Sequence, residues 1–303
     1  MIELQAVSKN YVSLIRRRRV QALADLSLTI ARGEVFGIAG PNGAGKSTML
    51  SILLGYLHPS SGVATIDGQR PRHYVERSGV AYLTELIAIP PRWTTESTLY
   101  RLASLSGLPG PKAQERVDHV IATLGLDEHR KKQVRQLSKG NLQRLGLAQS
   151  LMGDSDLVIF DEPTHGLDPV WTQRFRDIVT ELRRPTRTII IASHNLDELE
   201  RLTDRVAILS QGRLQRIVAA GGVHHGGAYR IAFAHPVPRL LEAFPDAVPV
   251  DGRNREYQIS GSLEELNQRL AQVLAGGAVV ASFYPEQSRL ESEFRDAVSE
   301  SNS

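Results

Sequence analysis

Val35-Phe36-Gly37-Ile38-Ala39-Gly40-Pro41-Asn42-Gly43-Ala44-Gly45-Lys46-Ser47-Thr48 joins a short apolar run to a glycine-rich turn that ends on a lysine and two hydroxyls. The first five residues predict a buried strand, and Thr48 to Leu57 carries apolar residues at helical spacing. Between them, Gly40 to Ser47 fits G-x-x-x-x-G-K-[ST] in the strand-to-helix setting that this phosphate-binding pattern requires. Gly40, Gly43 and Gly45, with Pro41, Asn42, Ala44 and Thr48 around them, let backbone N–H groups turn towards a phosphate, and the helix N-terminus adds partial positive charge. Lys46 supplies a full charge for β- and γ-phosphates, and the Ser47 hydroxyl can ligate Mg²⁺. A turn that binds nothing needs neither the lysine nor the hydroxyl. The G-x-G-x-x-G spacing of dinucleotide folds is absent here, so the expected ligand is a mononucleotide triphosphate.

A second apolar run, Leu157-Val158-Ile159-Phe160, ends on Asp161-Glu162. In open α/β sheets ligands collect at the carboxyl ends of strands, and two carboxylates buried there without a cation would be costly. Asp161 is placed to hold Mg²⁺, and Glu162 to orient and polarise an attacking water. A third run, Thr188-Ile189-Ile190-Ile191-Ala192, precedes His194. Taken alone, a histidine at a strand end is more often structural; its order after the other two motifs favours a hydrogen bond to the γ-phosphate.

Around these runs the chain reads as α/β, with a mainly parallel core sheet. Ile2 to Val7, Leu26 to Ile30 and Val63 to Ile66 predict an antiparallel side sheet, with Asp67-Gly68 as a hairpin turn. From about Thr94 to Met152 the spacing is helical with no strong strand, a helical insertion with starts at Thr94 or Thr95 and at Ser138. Gly221-Gly222 and Gly226-Gly227 bracket His224-His225, a linker composition that divides residues 1–220 from a small α+β domain over 221–303. That domain predicts strand (Tyr229 to Ala234), helix (near Arg239 to Phe244), strand, the turn Asp251-Gly252, strand (Glu256 to Ile259), helix, strand (Ala278 to Phe283) and helix. Ser262-Leu263-Glu264-Glu265 fits a capping box, and the sum is a split βαββαβ, ferredoxin-like unit. No third ligand follows the histidine pair at metal spacing.

Composition sets bounds. A 41% hydrophobic and 23% charged chain is ordinary globular material, which argues against disorder and against an integral membrane protein. The absence of cysteine excludes disulfides, thiolate metal sites and a cysteine nucleophile. Net charge is +3, which neither demands nor excludes nucleic acid, and Arg16-Arg17-Arg18-Arg19 reads as a solvated loop tip. Met1-Ile2-Glu3-Leu4 lacks the layout of a secretory leader and no apolar run is long enough to cross a bilayer, so a membrane role is expected to come through a partner.

Leu137-Ser138-Lys139-Gly140-Asn141-Leu142-Gln143-Arg144 resembles the LSGGQ-type signature of ABC ATPases, in its place before the Asp161-Glu162 strand. Ser138 as a cap, with the Gly140 N–H at a helix N-terminus, would form a second anion site. A second such site makes sense facing the nucleotide of another subunit. The resemblance therefore implies a P-loop NTPase cassette that closes as a head-to-tail dimer, or with a second ATPase subunit, around two ATP molecules with Mg²⁺. It extends across about the first 218 residues in motif order. Tyr11 resembles the aromatic that stacks on adenine, Gly166-Leu167-Asp168 the D-loop, and Gly212-Arg213 the closing hairpin after Arg205-Val206-Ala207-Ile208-Leu209. His165 reads as a tolerated loop residue.

Two departures stand out. Glu85 occupies the place of the Q-loop glutamine, where it can still ligate Mg²⁺ or water but loses the amide donor, and Lys139 with Asn141 replaces the common glycine and glutamine. Lys139 could offset charge near the phosphate. Glu85 and the extra domain, which ends in Leu290-Glu291-Ser292-Glu293-Phe294, resemble the ABC-2 branch of bacterial exporters. The expectation is the ATP-hydrolysing subunit of an exporter, cytoplasmic and peripheral at the inner face of the membrane, docked on integral membrane permease subunits near Glu85 and the helical insertion. The rival is a soluble ABC ATPase acting on nucleic acid or the ribosome, which would call for coiled-coil heptads or two cassettes in tandem.

Overall fold

The protein is described by a computed structural model covering residues 1–12, 19–108, 110–220, 227–237, 240–250, 255–285 and 289–300. Arg16 to Arg18, the linker from Gly221 to Gly226 with its histidine pair, Arg239 and the Asp251-Gly252 turn lie outside the described residues. The chain divides into two compact units, Met1–Ala220 together with Phe294–Ser303, and Gly221–Glu293.

In the first unit the elements run β1 (Ile2–Val12), β2 (Arg19–Ile30), β3 (Val35–Ala39), α1 (Lys46–Leu53), β4 (Ser61–Ile66), α2 (Pro71–Ser78), β5 (Ala81–Leu83) and α3 (Thr95–Leu105). There follow α4 (Gly110–Thr123), α5 (Lys139–Ser150), β6 (Leu157–Asp161), α6 (Pro169–Leu182), β7 (Thr188–Ser193), α7 (Leu196–Leu202), β8 (Arg205–Ser210) and β9 (Arg213–Ala219). The core sheet has the order β5-β6-β7-β3-β8-β9, parallel except for the antiparallel β8/β9 edge. β3, β6 and β7 are buried at every residue, as strands covered on both faces must be, and this is why they appear in the sequence as unbroken apolar runs. Phe160 of β6 meets Phe175 of α6 edge-on at 5.4 Å, which joins the sheet to the helix layer.

The side sheet, order β2-β1-β4, is antiparallel. Along β2 the buried Leu26, Leu28 and Ile30 alternate with exposed residues, the signature of a sheet covered on one face. Both long strands outrun the predicted segments, because bulges shift the register around Val7 and Lys9, and Ala6 and Asp25 take positive φ. Asp67-Gly68 makes a tight turn, but only Ile66 and Gln69 bridge across it before Pro71 starts α2; the expected hairpin is one bridge long. The insertion is helical, with short 3₁₀ turns at Asp127–His129 and Val134–Gln136 before α5. Thr94 caps α3 reciprocally with Ser97 (3.1 and 3.0 Å).

In the second unit β10 (Gly227–Phe233), α8 (Leu240–Ala243), β11 (Val248–Pro249), β12 (Glu256–Gly261), α9 (Leu263–Ala275) and β13 (Val280–Pro285) precede the final helix α10 (Arg289–Glu300). Its four-stranded antiparallel sheet has the order β11-β12-β10-β13 over a core of Ile231, Phe233, Phe244, Ile259, Leu266 and their neighbours. Ser262 caps α9 through the Glu265 N–H at 3.2 Å, while the Glu265 carboxylate pairs with Arg269, so only one half of the predicted capping box is used that way.

Candidate active site

The glycine-rich loop leaves the middle of the core sheet, where β3 lies between β7 and β8. Gly45 sits at φ +105, and a Cβ there would come within 2.7 Å of the Ala22 carbonyl oxygen and 2.8 Å of Leu23. Only glycine fits, because both conformation and space exclude a side chain. α1 accordingly starts without a side-chain cap, and its first N–H groups await an acceptor from outside the helix. The loop is pinned from behind: Gly212 donates its N–H to the Ala44 carbonyl at 3.0 Å, and Ala24 donates to the Gly212 carbonyl at 2.8 Å. Lys46, 7% exposed, donates Nζ to the carbonyls of Gly40 at 2.6 Å and Pro41 at 3.4 Å. Ser47 is exposed and Thr48 half-buried on the first turn of α1, with Asn42 and Gly43 exposed at the tip of the loop.

Asp161 and Glu162 stand together at the carboxyl end of β6, 4% and 7% exposed. Burial, and then the negative charges of Glu85 and Glu162, push the Asp161 carboxyl up to about 6 against the opposing pull of Lys46. Glu162 holds φ +50, an uncommon backbone state for a side chain of this size, secured by its N–H donating to Ala192 at 2.9 Å. Its carboxylate takes the His194 backbone N–H on Oε1 at 3.0 Å, and Ser193 Oγ (3.3 Å) and His194 Nδ1 (2.8 Å) on Oε2. His194, expected to reach for a phosphate, thus first orients Glu162, which leaves Nε2 as the ring nitrogen for any phosphate contact.

On α5, Ser138 caps the helix, its Oγ accepting the Asn141 N–H at 3.2 Å. Gly140 is close to the Gly166 carbonyl, which a Cβ would approach to 3.1 Å. The Lys139 Nζ lies 2.5 Å from His165 Nε2 of its own chain. Asp168 accepts the Trp171 N–H at 2.9 Å and caps α6. Arg144 lies over the Trp171 ring at 4.0 Å, tying α5 to α6. Tyr11 is on β1, 40% exposed, with Lys9 Nζ 5.7 Å from its ring centre. Glu85 is exposed just beyond β5. Two further residues serve the site without a role expected from the sequence: Gln143, 6% exposed, donates Nε2 to the carbonyls of Pro163 (2.9 Å) and Glu162 (3.2 Å), and Ser193 Oγ meets the Glu162 carboxylate. A long amide inside the signature helix is the only sequence sign of the first; nothing in the sequence marks the second.

Residues 23–165 match the ABC transporter family. An ABC transporter ATP-binding protein of Bacillus subtilis, NatA, is 35% identical over 218 residues, 71% of this chain and 87% of that protein. The chain belongs to the ABC transporter ATP-binding proteins. An uncharacterised ABC transporter ATP-binding protein of Nostoc is 42% identical over 201 residues, 65% of this ABC chain but only 59% of the Nostoc protein's length. Further ABC relatives carry opposite directions in their names, a methionine import protein of Pseudomonas putida at 33% identity and a Nod factor export protein of Burkholderia lata at 34%. Among solved structures, a dimeric ATP-binding cassette in a post-hydrolysis state with ADP and Pi superposes with a TM-score of 0.68, covering 74% of this chain and all of that one. At 22% identity this supports the ABC cassette fold alone. Among the described residues no helix is long and apolar enough to cross a membrane.

Proposed function

We propose that this chain binds ATP on Tyr11 and the loop Gly40–Thr48 and hydrolyses it with Glu162 as the general base. The observation that carries the reading is the Glu162 carboxylate, buried and fixed by three donors, beside Asp161 at the strand end next to the loop of Lys46. A carboxylate held this way can orient and polarise a water without having to reorganise. Lys46 would exchange the Gly40 and Pro41 carbonyls for β- and γ-phosphate oxygens, while the α1 N–H groups take the β-phosphate. The donor set suits Mg²⁺: a buried aspartate disfavoured as an anion, a serine hydroxyl and Glu85 are hard oxygen ligands short of a cation. Ser47, Asp161 and Glu85 would hold it, and when bound it neutralises charge on the phosphates. Among the described residues no three His, Asp or Glu side chains group as a metal site, so its other ligands would come from phosphate and water.

The functional unit is a homodimer, or a pair with a second ATPase subunit, in which Ser138 and Gly140 face the other subunit's nucleotide. Integral membrane permease subunits receive the motion, and the chain works from the cytoplasmic face as a peripheral subunit. We assign the direction as export, on Glu85 in place of the Q-loop glutamine and on the second unit. The order β11-β12-β10-β13 supports reading that unit as ferredoxin-like, in a regulatory or dimer-supporting role. The deciding experiment is Glu162→Gln: ATP binding is retained, a dimer accumulates with ATP and Mg²⁺, and turnover falls by about a thousandfold, within the usual worth of general base catalysis. Near-normal hydrolysis by that variant would remove Glu162 from the role.

A further inference from the structure

Lys139 and His165 come from elements 26 residues apart and are brought together by the fold. Lys139 follows the cap Ser138, and His165 stands three residues beyond Glu162. Their side-chain nitrogens are 2.5 Å apart, and since an ammonium only donates, His165 Nε2 is the acceptor. The lysine stem fills the space over Gly166, where φ is +82 and a Cβ would meet Lys139 Cε at 2.9 Å and Cδ and Cγ at 3.0 Å. One turn further along α5, Gln143 holds the carbonyls of Glu162 and Pro163. The first turn of α5 and the loop from Glu162 to Gly166 are therefore fastened at two points, one charged and one amide.

The loop also reports on the base. His165 donates its N–H to the Glu162 carbonyl at 3.2 Å, and its ring lies 6.4 Å from the ring of His194, which grips Glu162 Oε2. With φ +50, Glu162 depends on its surroundings to stay where it is. A lysine that merely packed on glycine would need no acceptor at its tip, and a loop histidine in solvent would need no cation.

We propose that Lys139 and His165 form a strap that sets Glu162 from the helix end carrying Ser138 and Gly140, with Lys139 a positioning residue that acts through His165. The inference rests on Glu162 as the base. The test is steady-state ATP hydrolysis by the full chain carrying Lys139→Ala, His165→Ala or both, with equilibrium binding of a fluorescent ATP analogue measured in parallel. Each single variant is expected to lower kcat about tenfold, with KM and analogue affinity within about twofold, and the double variant to be no worse than the worse single one, as coupled residues behave. Lys139→Arg keeps a donor and His165→Gln keeps an acceptor, so both should stay within about threefold of the parent kcat. Losses that multiply to about a hundredfold, losses confined to KM, or a parent-like Lys139→Ala would each overturn the strap. A Glu162→Gln variant that still turns over would instead remove the base assignment.

Discussion

Two helices in the cassette begin at candidate phosphate positions, and they begin differently. α1 starts from Gly45 with no side chain over its free N–H groups, while α5 starts from Ser138 with its hydroxyl already given to Asn141. On the proposed reading the first is an anion site complete in one chain, needing only the Lys46 ammonium to leave two carbonyls. The second already has one of its N–H groups, that of Asn141, taken by the Ser138 hydroxyl, a cap worth about 1 kcal/mol. In the proposed dimer, the second subunit would present the ligand to that end.

The largest expected effect falls on the first helix end. Lys46→Ala removes the charge from a loop whose geometry is otherwise fixed, and ATP affinity should fall at least about a hundredfold by equilibrium binding, the worth of one or two charged hydrogen bonds. Unchanged affinity would mean that α1 alone carries the phosphate. A smaller effect of another kind is expected from Ser138→Ala: the isolated subunit should bind ATP as before, while kcat drops about tenfold and thermal stability falls by about 1 kcal/mol. Should single-subunit affinity fall with it, the two ends are not divided in labour. Smallest is Asp168→Ala, which removes the α6 cap and should lower Tm by about 2–4 °C with ATP affinity within about twofold, whereas Asp168→Asn, an equal cap, should restore it. A loss of affinity without a loss of Tm would place Asp168 at the nucleotide rather than on the helix.

The contrast also separates what the residues reveal from what they conceal. β3, β6 and β7 were legible because strands buried on both faces leave no polar interruption, and the loop was legible because its chemistry is local in sequence. The full length of β1 and β2 was not, since bulges at Val7 and Lys9 break the alternation that marks a strand. At the site, Lys46, Asp161 and Glu162 announce themselves by position. His194 was legible as a site residue, but not as the partner of Glu162, because that pairing spans 32 residues and depends on the left-handed backbone of Glu162. His165 and Gln143 escaped for the same reason: each is ordinary in its own segment and gains its meaning from a neighbour supplied by the fold, as does Lys139, which stood out in the sequence only as a departure from the signature.

The hydrogen bond from Gly212 to Ala44 ties the order of synthesis to the order of function. β3 emerges early, but its flanking strands β7 and β8 and the turn that braces the loop come some 150 residues later, so a growing chain carries the motif long before it owns the pocket. Nucleotide therefore cannot template the early steps of folding. It can only reward a cassette translated through to its closing hairpin, and a chain stopped short of that point is left without the grip that would protect it.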